Sequence, residues 1–157
     1  IVAGPNGVGG EWGHNQITHL IAKKEKFEST NLREGEIESF MSGLSLAKKF
    51  NKKFKKNLTT NQIFELYRKH DLEAEDLIDN FKLNLAMSLA NIINILDPDC
   101  FVFGGGVSNE IDFLSEIETI VRKFVTGREY EGVFLKPKYG DASGVRGAAR
   151  LGRKSIY

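Results

Sequence analysis

The sequence predicts an α/β layer architecture, and three observations carry that prediction. From Glu73 to Leu96 apolar residues recur at helical spacing. Two short runs, CFVF at 100–103 and GVFLKPKY at 132–139, read as strands. Each run is followed by a glycine- or serine-containing turn and then by a new helical pattern, so the order from Glu73 is helix, strand, helix, strand, helix. Alternation of this kind argues for helices layered on a sheet.

Taken in order, the chain opens IVAGPNG, an apolar triplet entering a Pro5-Asn6-Gly7 turn. A glycine-rich stretch to His14 follows, and the polar segment to about Gly35 shows no clear period and reads mostly as loop. From Glu36 the pattern turns helical: Ile37, Phe40, Met41, Leu44, Ala47 and Phe50 fall on one face. Thr59 or Thr60 can cap a second helix carrying Ile63, Leu66 and Tyr67 and ending near His70. In the long helix Leu77, Phe81, Leu85, Leu89, Ile92, Ile93 and Leu96 line one face, and Ala86, Met87, Ala90 and Ile95 occupy others. A helix apolar nearly all round is a buried, central one. Asp97-Pro98-Asp99 stops it, because proline disfavours helical geometry in the residue before it. After CFVF, Ser108 or Asn109 is placed to cap a helix with Ile111, Leu114, Ile117, Val121 and Phe124 inward. Asp141 or Ser143 is placed to start the last helix, through GVRGAARL. There is no internal repeat and no low-complexity tract.

The chain has 157 residues, enough for one domain with a real core. A net charge of +1 gives no global drive toward nucleic acid or an anionic membrane. Lys48, Lys49, Lys52, Lys53, Lys55 and Lys56 form a local basic cluster, either a solvated helix end or a polyphosphate or nucleic-acid contact. One cysteine, Cys100, makes no internal disulfide, and its place in CFVF predicts a buried small hydrophobe. That is compatible with a reducing, cytoplasmic setting. No run is long and apolar enough for a membrane-spanning helix, and no signal peptide is visible. A start inside a strand without an initiator methionine leads to the expectation of a fragment of something longer.

Three stretches suggest ligands. FGGGVSNE puts Gly104, Gly105 and Gly106 at the end of a strand and directly before a helix, where free N–H groups and the helix dipole attract phosphate. No lysine and serine or threonine follow at the Walker spacing, and the dinucleotide fingerprint is absent. GDASGVRGAAR, 140–150, is a second such place: Asp141 and Ser143 can cap, and Gly144 and Gly147 keep a helix face thin enough for close packing or a flat ligand. Arg146 there can salt-bridge or touch phosphate, with a salt bridge favoured. In GGEWGHN, Glu11 and His14 lie three apart between glycines. In a turn they share a face and offer an acceptor beside a ring that donates or accepts, which suits a polyhydroxylated ligand.

GGEWGHN, IESFMSG at 37–43, DPDCFVFGGGVSN and GDASGVRGAA occur together, in this order, in a pattern that resembles the ROK family of sugar kinases and repressors, most closely its bacterial fructokinase branch. The N-acetylglucosamine kinase branch is similar but less so in GEWGHN and SGVRGAA. The resemblance implies an actin-like ATPase (ribonuclease H-like) fold, with residues 1–157 forming one domain, the C-terminal half of a two-domain kinase whose N-terminal half is absent. It implies that Glu11, His14 and Glu38 bind the hydroxyls of a hexose, and that Gly104, Gly105, Gly106, Ala142 and Ser143 lie along the adenosine side of ATP. ATP and Mg2+ are the cofactors it implies for the intact enzyme, and a homodimer is a common assembly of such proteins.

Two departures from the pattern matter. Zinc-bearing members carry a CxCGxxxCxE motif before the IESF-like stretch; the aligned segment here is STNLREGEIE, with Ser29, Asn31 and Glu36 where the cysteines stand, so structural zinc is not expected. The phosphate loop and the aspartate base of the family belong to the absent half, so this chain alone is expected to be inactive. Asp71, Asp76 and Asp79 read as helix surface. Two further readings remain: a sugar-sensing repressor of the same family, which adds a helix-turn-helix upstream, and a non-catalytic split or degenerate remnant.

Overall fold

The computed structural model describes residues 36–126, 130–140 and 142–152. The chain divides into two compact units, 1–88 and 89–157, each described by itself. Glu11, His14, Ser29, Asn31 and Asp141 lie outside the described residues, as does the expected loop before Gly35.

The first unit is helical where it is described. The single helix expected from Glu36 is two: α1 (Glu38–Met41) and α2 (Gly43–Phe54). Ser42 divides them by taking an extended conformation, and its hydroxyl accepts from Ser45 N–H as an N-cap. The break resets the helical phase. Leu44, expected on the inner face, is 67% exposed, and Leu46 and Phe50 are buried instead. α2 closes at Lys55, which is left-handed (φ 53), with Lys56 N–H donating to Asn51 O. The Asn51 amide then pins the following loop by bonding both the N–H and the carbonyl of Leu58.

Thr59 caps α3 (Thr60–Arg68) in a full capping box with Gln62. The buried residues of α3 are Ile63 and Phe64, whereas Leu66 and Tyr67 are half-buried. Phe64 is one the sequence reading left off the face. His70 (φ 60) ends this helix with paired bonds, His70 N–H to Tyr67 O and Asp71 N–H to Leu66 O. Asp71 caps the next helix rather than decorating its surface: its Oδ1 accepts from Glu73 and Ala74 N–H.

α4 (Leu72–Leu96) runs across the boundary between the units. Leu77, Phe81, Leu85, Leu89 and Ile93 are buried as expected, together with Ala86 and Ala90. The expected burial all round fails at the C-terminal end, where Ile95 and Leu96 are 80% and 66% exposed. The unforeseen feature is Lys82, only 4% exposed, whose Nζ donates to the Tyr67 hydroxyl at 2.6 Å and lies 3.5 Å from Asp79. Burying an ammonium is tolerable only with such partners. Asp97, left-handed at φ 43, ends α4 ahead of Pro98.

In the second unit β1 (Cys100–Val102), α5 (Leu114–Val121) and β2 (Val133–Leu135) form a crossover joining two parallel strands, with Cys100 opposite Val133 and Val102 opposite Leu135. Side chains alternate across the ribbon. Phe101, Phe103 and Phe134 stack on one face, with ring centroids 5.5 Å (Phe101–Phe134) and 5.8 Å (Phe103–Phe134) apart. Cys100, Val102, Val133 and Leu135 alternate to the other face and are exposed, so Cys100 is not the buried residue expected. The glycine run is followed by a single 3-10 turn, 106–109, and α5 begins only at Leu114. Ser108 and Asn109 therefore do not cap it, and its N-cap Phe113 makes no side-chain cap bond. Ile111, Phe113, Ile117, Val121 and Tyr130 form the buried set around it. α6 (Ala142–Gly152) closes the described chain.

Candidate functional site

The ribbon's register brings two of the predicted segments to one edge. Phe103 N–H donates to Leu135 O at 2.9 Å, so the two strands end level. Gly104–Gly106 leaves the C-terminal end of β1, and the turn leading into Ala142 and Ser143 leaves the C-terminal end of β2. In parallel α/β sheets ligands bind outside this edge.

Gly105 has φ +94, a conformation side chains rarely adopt, and both the N–H and the hydroxyl of Ser108 donate to its carbonyl, at 3.0 and 2.6 Å. A Cβ at Gly104 or Gly106 would meet nothing within 4 Å, so the turn borders open space. The helix N-terminus expected directly behind it is replaced by the 3-10 turn, and the dipole argument fails there. At the second segment Ala142 and Ser143 N–H donate to Tyr139 O and Gly140 O, closing the turn. The Ser143 hydroxyl is buried and has no hydrogen-bond partner. Such a group costs about 1–3 kcal/mol unless something satisfies it. Among the described residues no three His, Cys, Asp or Glu side chains gather to hold a metal ion.

Glu38 is exposed in the first turn of α1, and its carbonyl accepts from Ser42 N–H and the Ser45 hydroxyl, at 3.3 and 3.1 Å. It belongs to the first unit. Glu36, at one of the replaced cysteine positions, is buried, and its carbonyl accepts twice from Ser39. In the lysine cluster Lys53 pairs with Asp76 and Lys56 with Glu73, both exposed pairs. The Glu73 contact holds the Lys56 ammonium above its ordinary pKa. This supports the solvated-helix reading for those two lysines.

Sequence reasoning missed the neighbour of Arg146. In place of the favoured salt bridge its guanidinium lies over the Tyr139 ring, 3.9 Å from the centroid. No spacing rule signals a contact between a turn residue and a helix seven positions on. Lys82 did carry a signal, since it stands four positions after Ile78 on the buried face of α4.

A cleft of about 750 Å³ opens at the other edge of the ribbon, lined by Asn94, Asp97, Asp99, Thr126, Tyr130 and Glu131 among others. Its framework is internally bonded. Asn94 joins Phe124 O and Thr126 N–H, and the Tyr130 hydroxyl donates to Pro98 O at 2.5 Å. Burial raises the Tyr130 pKa. Volume alone does not make it a ligand site, and it lies at the end of the ribbon opposite the C-terminal edge where parallel α/β sheets bind ligands.

A parallel ribbon with a glycine turn at its C-terminal edge is an α/β arrangement, and the fold is that of the actin-like ATPases. The chain belongs to the ROK family, whose model matches residues 1–155. It is 32% identical over 159 aligned residues to an N-acetyl-D-glucosamine kinase of Photobacterium profundum, covering 98% of this chain and 52% of that protein. A ROK hexokinase from Thermus thermophilus superposes with TM-score 0.79 at 25% identity, covering 95% of this chain and 50% of that one. A ROK glucokinase from Streptomyces griseus, solved with glucose and AMPPNP, superposes with TM-score 0.74 at 25% identity, covering 94% of this chain and 52% of that one. The chain thus spans about half the length of the relatives it matches.

Proposed function

We propose that this chain is the C-terminal half of an ATP-dependent hexose kinase. The observation that supports the reading is the shared strand edge: Gly104–Gly106 follows β1 and the turn into Ala142–Ser143 follows β2 at the same end of the parallel ribbon. In this reading those residues hold the adenosine side of ATP, and Glu11, His14 and Glu38 orient the sugar through its hydroxyls. The general base and the grip on the transferring phosphoryl come from the other half, and this chain alone does not turn over. When bound, Mg-ATP supplies the phosphoryl group and its charge neutralisation. A cytoplasmic setting and a homodimer belong to the same reading.

The fructokinase branch, favoured by GEWGHN and SGVRGAA, finds no support among the relatives, which are N-acetyl-D-glucosamine kinases. We therefore place N-acetylglucosamine first and fructose second as acceptors. The test is a coupled kinase assay on the full-length gene product with N-acetylglucosamine, glucose and fructose. Highest kcat/KM on N-acetylglucosamine is expected. Turnover on none of the three would overturn the kinase reading, and turnover by residues 1–157 alone would overturn the division of labour.

A further inference from the structure

The edge that carries the orphan Ser143 hydroxyl also carries a guanidinium held in one plane. Tyr139 follows β2 by four residues and Arg146 sits one helical turn after Ser143. The Arg146 Cζ lies over the Tyr139 ring, 3.9 Å from its centroid, and the Lys138 ammonium is 5.8 Å from the same centroid. Arginine ordinarily samples many rotamers, so an aromatic platform fixes both the height and the orientation of the fork. The contact leaves Arg146 exposed, so the second face of its guanidinium remains open.

What flanks that open face is bare. On a helix Ser143, Arg146, Gly147 and Arg150 share one side. Among the described residues, a Cβ at Gly147 or Gly144 would meet nothing within 4 Å. The result is an exposed guanidinium over a phenol ring, with a strip of helix beside it that no described residue covers. A flat heteroaromatic fits both: it stacks on the guanidinium and fills the space over Gly147.

We propose that Arg146 stacks on the purine base of the nucleotide and that Tyr139 is the positioning residue that presents it. This rests on the kinase reading above. It goes beyond that reading by assigning base affinity to a side chain in place of the glycine backbone.

The test is equilibrium binding of ATP and of inorganic tripolyphosphate to the full-length gene product, with KM and kcat, for Arg146→Ala, Arg146→Lys, Tyr139→Leu and Tyr139→Phe. Arg146→Ala should weaken ATP about tenfold and raise its KM without changing kcat. Tripolyphosphate binding and the sugar KM should stay as in the parent. Arg146→Lys should recover only part of the loss, because an ammonium presents no plane. Tyr139→Leu should resemble Arg146→Ala, and Tyr139→Phe, which keeps the ring, should restore parent affinity. Both positions are exposed, so the variants should fold, and circular dichroism checks it. Unchanged ATP affinity in Arg146→Ala overturns the proposal alone. An equal loss of tripolyphosphate overturns it in favour of a phosphate contact. A parent protein that binds no ATP overturns both the proposal and the kinase reading.

Discussion

Residues 42–71 and residues 103–146 face the same task, ending one element and starting the next, and they meet it in opposite ways. In the first region a side chain caps the start of each of α2, α3 and α4, while Lys55 and His70 end α2 and α3 in left-handed backbone. Ser42 caps α2, Asn51 clamps the loop, Thr59 and Gln62 box the start of α3, and Asp71 caps α4. In the second region the backbone does the turning. Gly105 and Gly140 take positive φ, Phe113 caps α5 with no side-chain bond, and the Ser143 hydroxyl stays unpaired. A junction sealed by its own side chains has nothing left to offer a ligand. One built from glycine and an orphan donor gives up local stability and keeps hydrogen-bonding capacity free. On the proposed reading, the contrast separates a scaffold from a site.

The largest test of the scaffold side is Phe50→Ala. Phe50 is fully buried, with the Phe54 ring 4.9 Å away, and truncation should cost about 3–5 kcal/mol, read as a lower urea midpoint. Next comes Gly132→Ala in the second unit. A Cβ there would sit 2.1 Å from the Tyr130 ring tip, which cannot swing away without breaking its bond to Pro98 O. The expected cost is about 1–3 kcal/mol, with hydrogen exchange accelerating around β1 and β2 and unchanged in α2 and α3. Thr59→Ala removes one cap of the sealed region and should cost about 1 kcal/mol; a neutral result would mean that the capping contributes little and the contrast is superficial.

The smallest effect is in alkali. Burial raises the Tyr130 pKa from 10.0, and Glu73 raises that of Lys56 from 10.5. A raised folded-state pKa means that the native state holds its proton more tightly than the unfolded chain. Its contribution is complete below the unfolded value and is lost as pH rises through the folded one. Melting temperature should therefore fall above about pH 10, and Tyr130→Phe should flatten part of that slope.

The sequence made the order of elements from α4 to α6 legible because those signals are local: apolar spacing, Asp-Pro, glycine after a strand. It misplaced Leu44 because one capping serine resets the helical phase, and a window averaged over Glu36–Phe50 cannot see that. It misjudged Cys100 because an apolar tetrapeptide does not say which face of a ribbon is covered. Two glycine-rich turns were legible as candidate nucleotide contacts, yet their placement after neighbouring parallel strands depends on strand register, a long-range property. The Arg146–Tyr139 stack had no signal at all.

Hydrogen exchange of the full-length gene product with and without ATP tests the central claim most directly. The account predicts protection of amides at 104–106 and 142–147 on adding ATP, with the capped junctions at 42–71 unchanged. Protection confined to the cleft around Asn94, Tyr130 and Glu131, or no protection anywhere in residues 103–147, would contradict it.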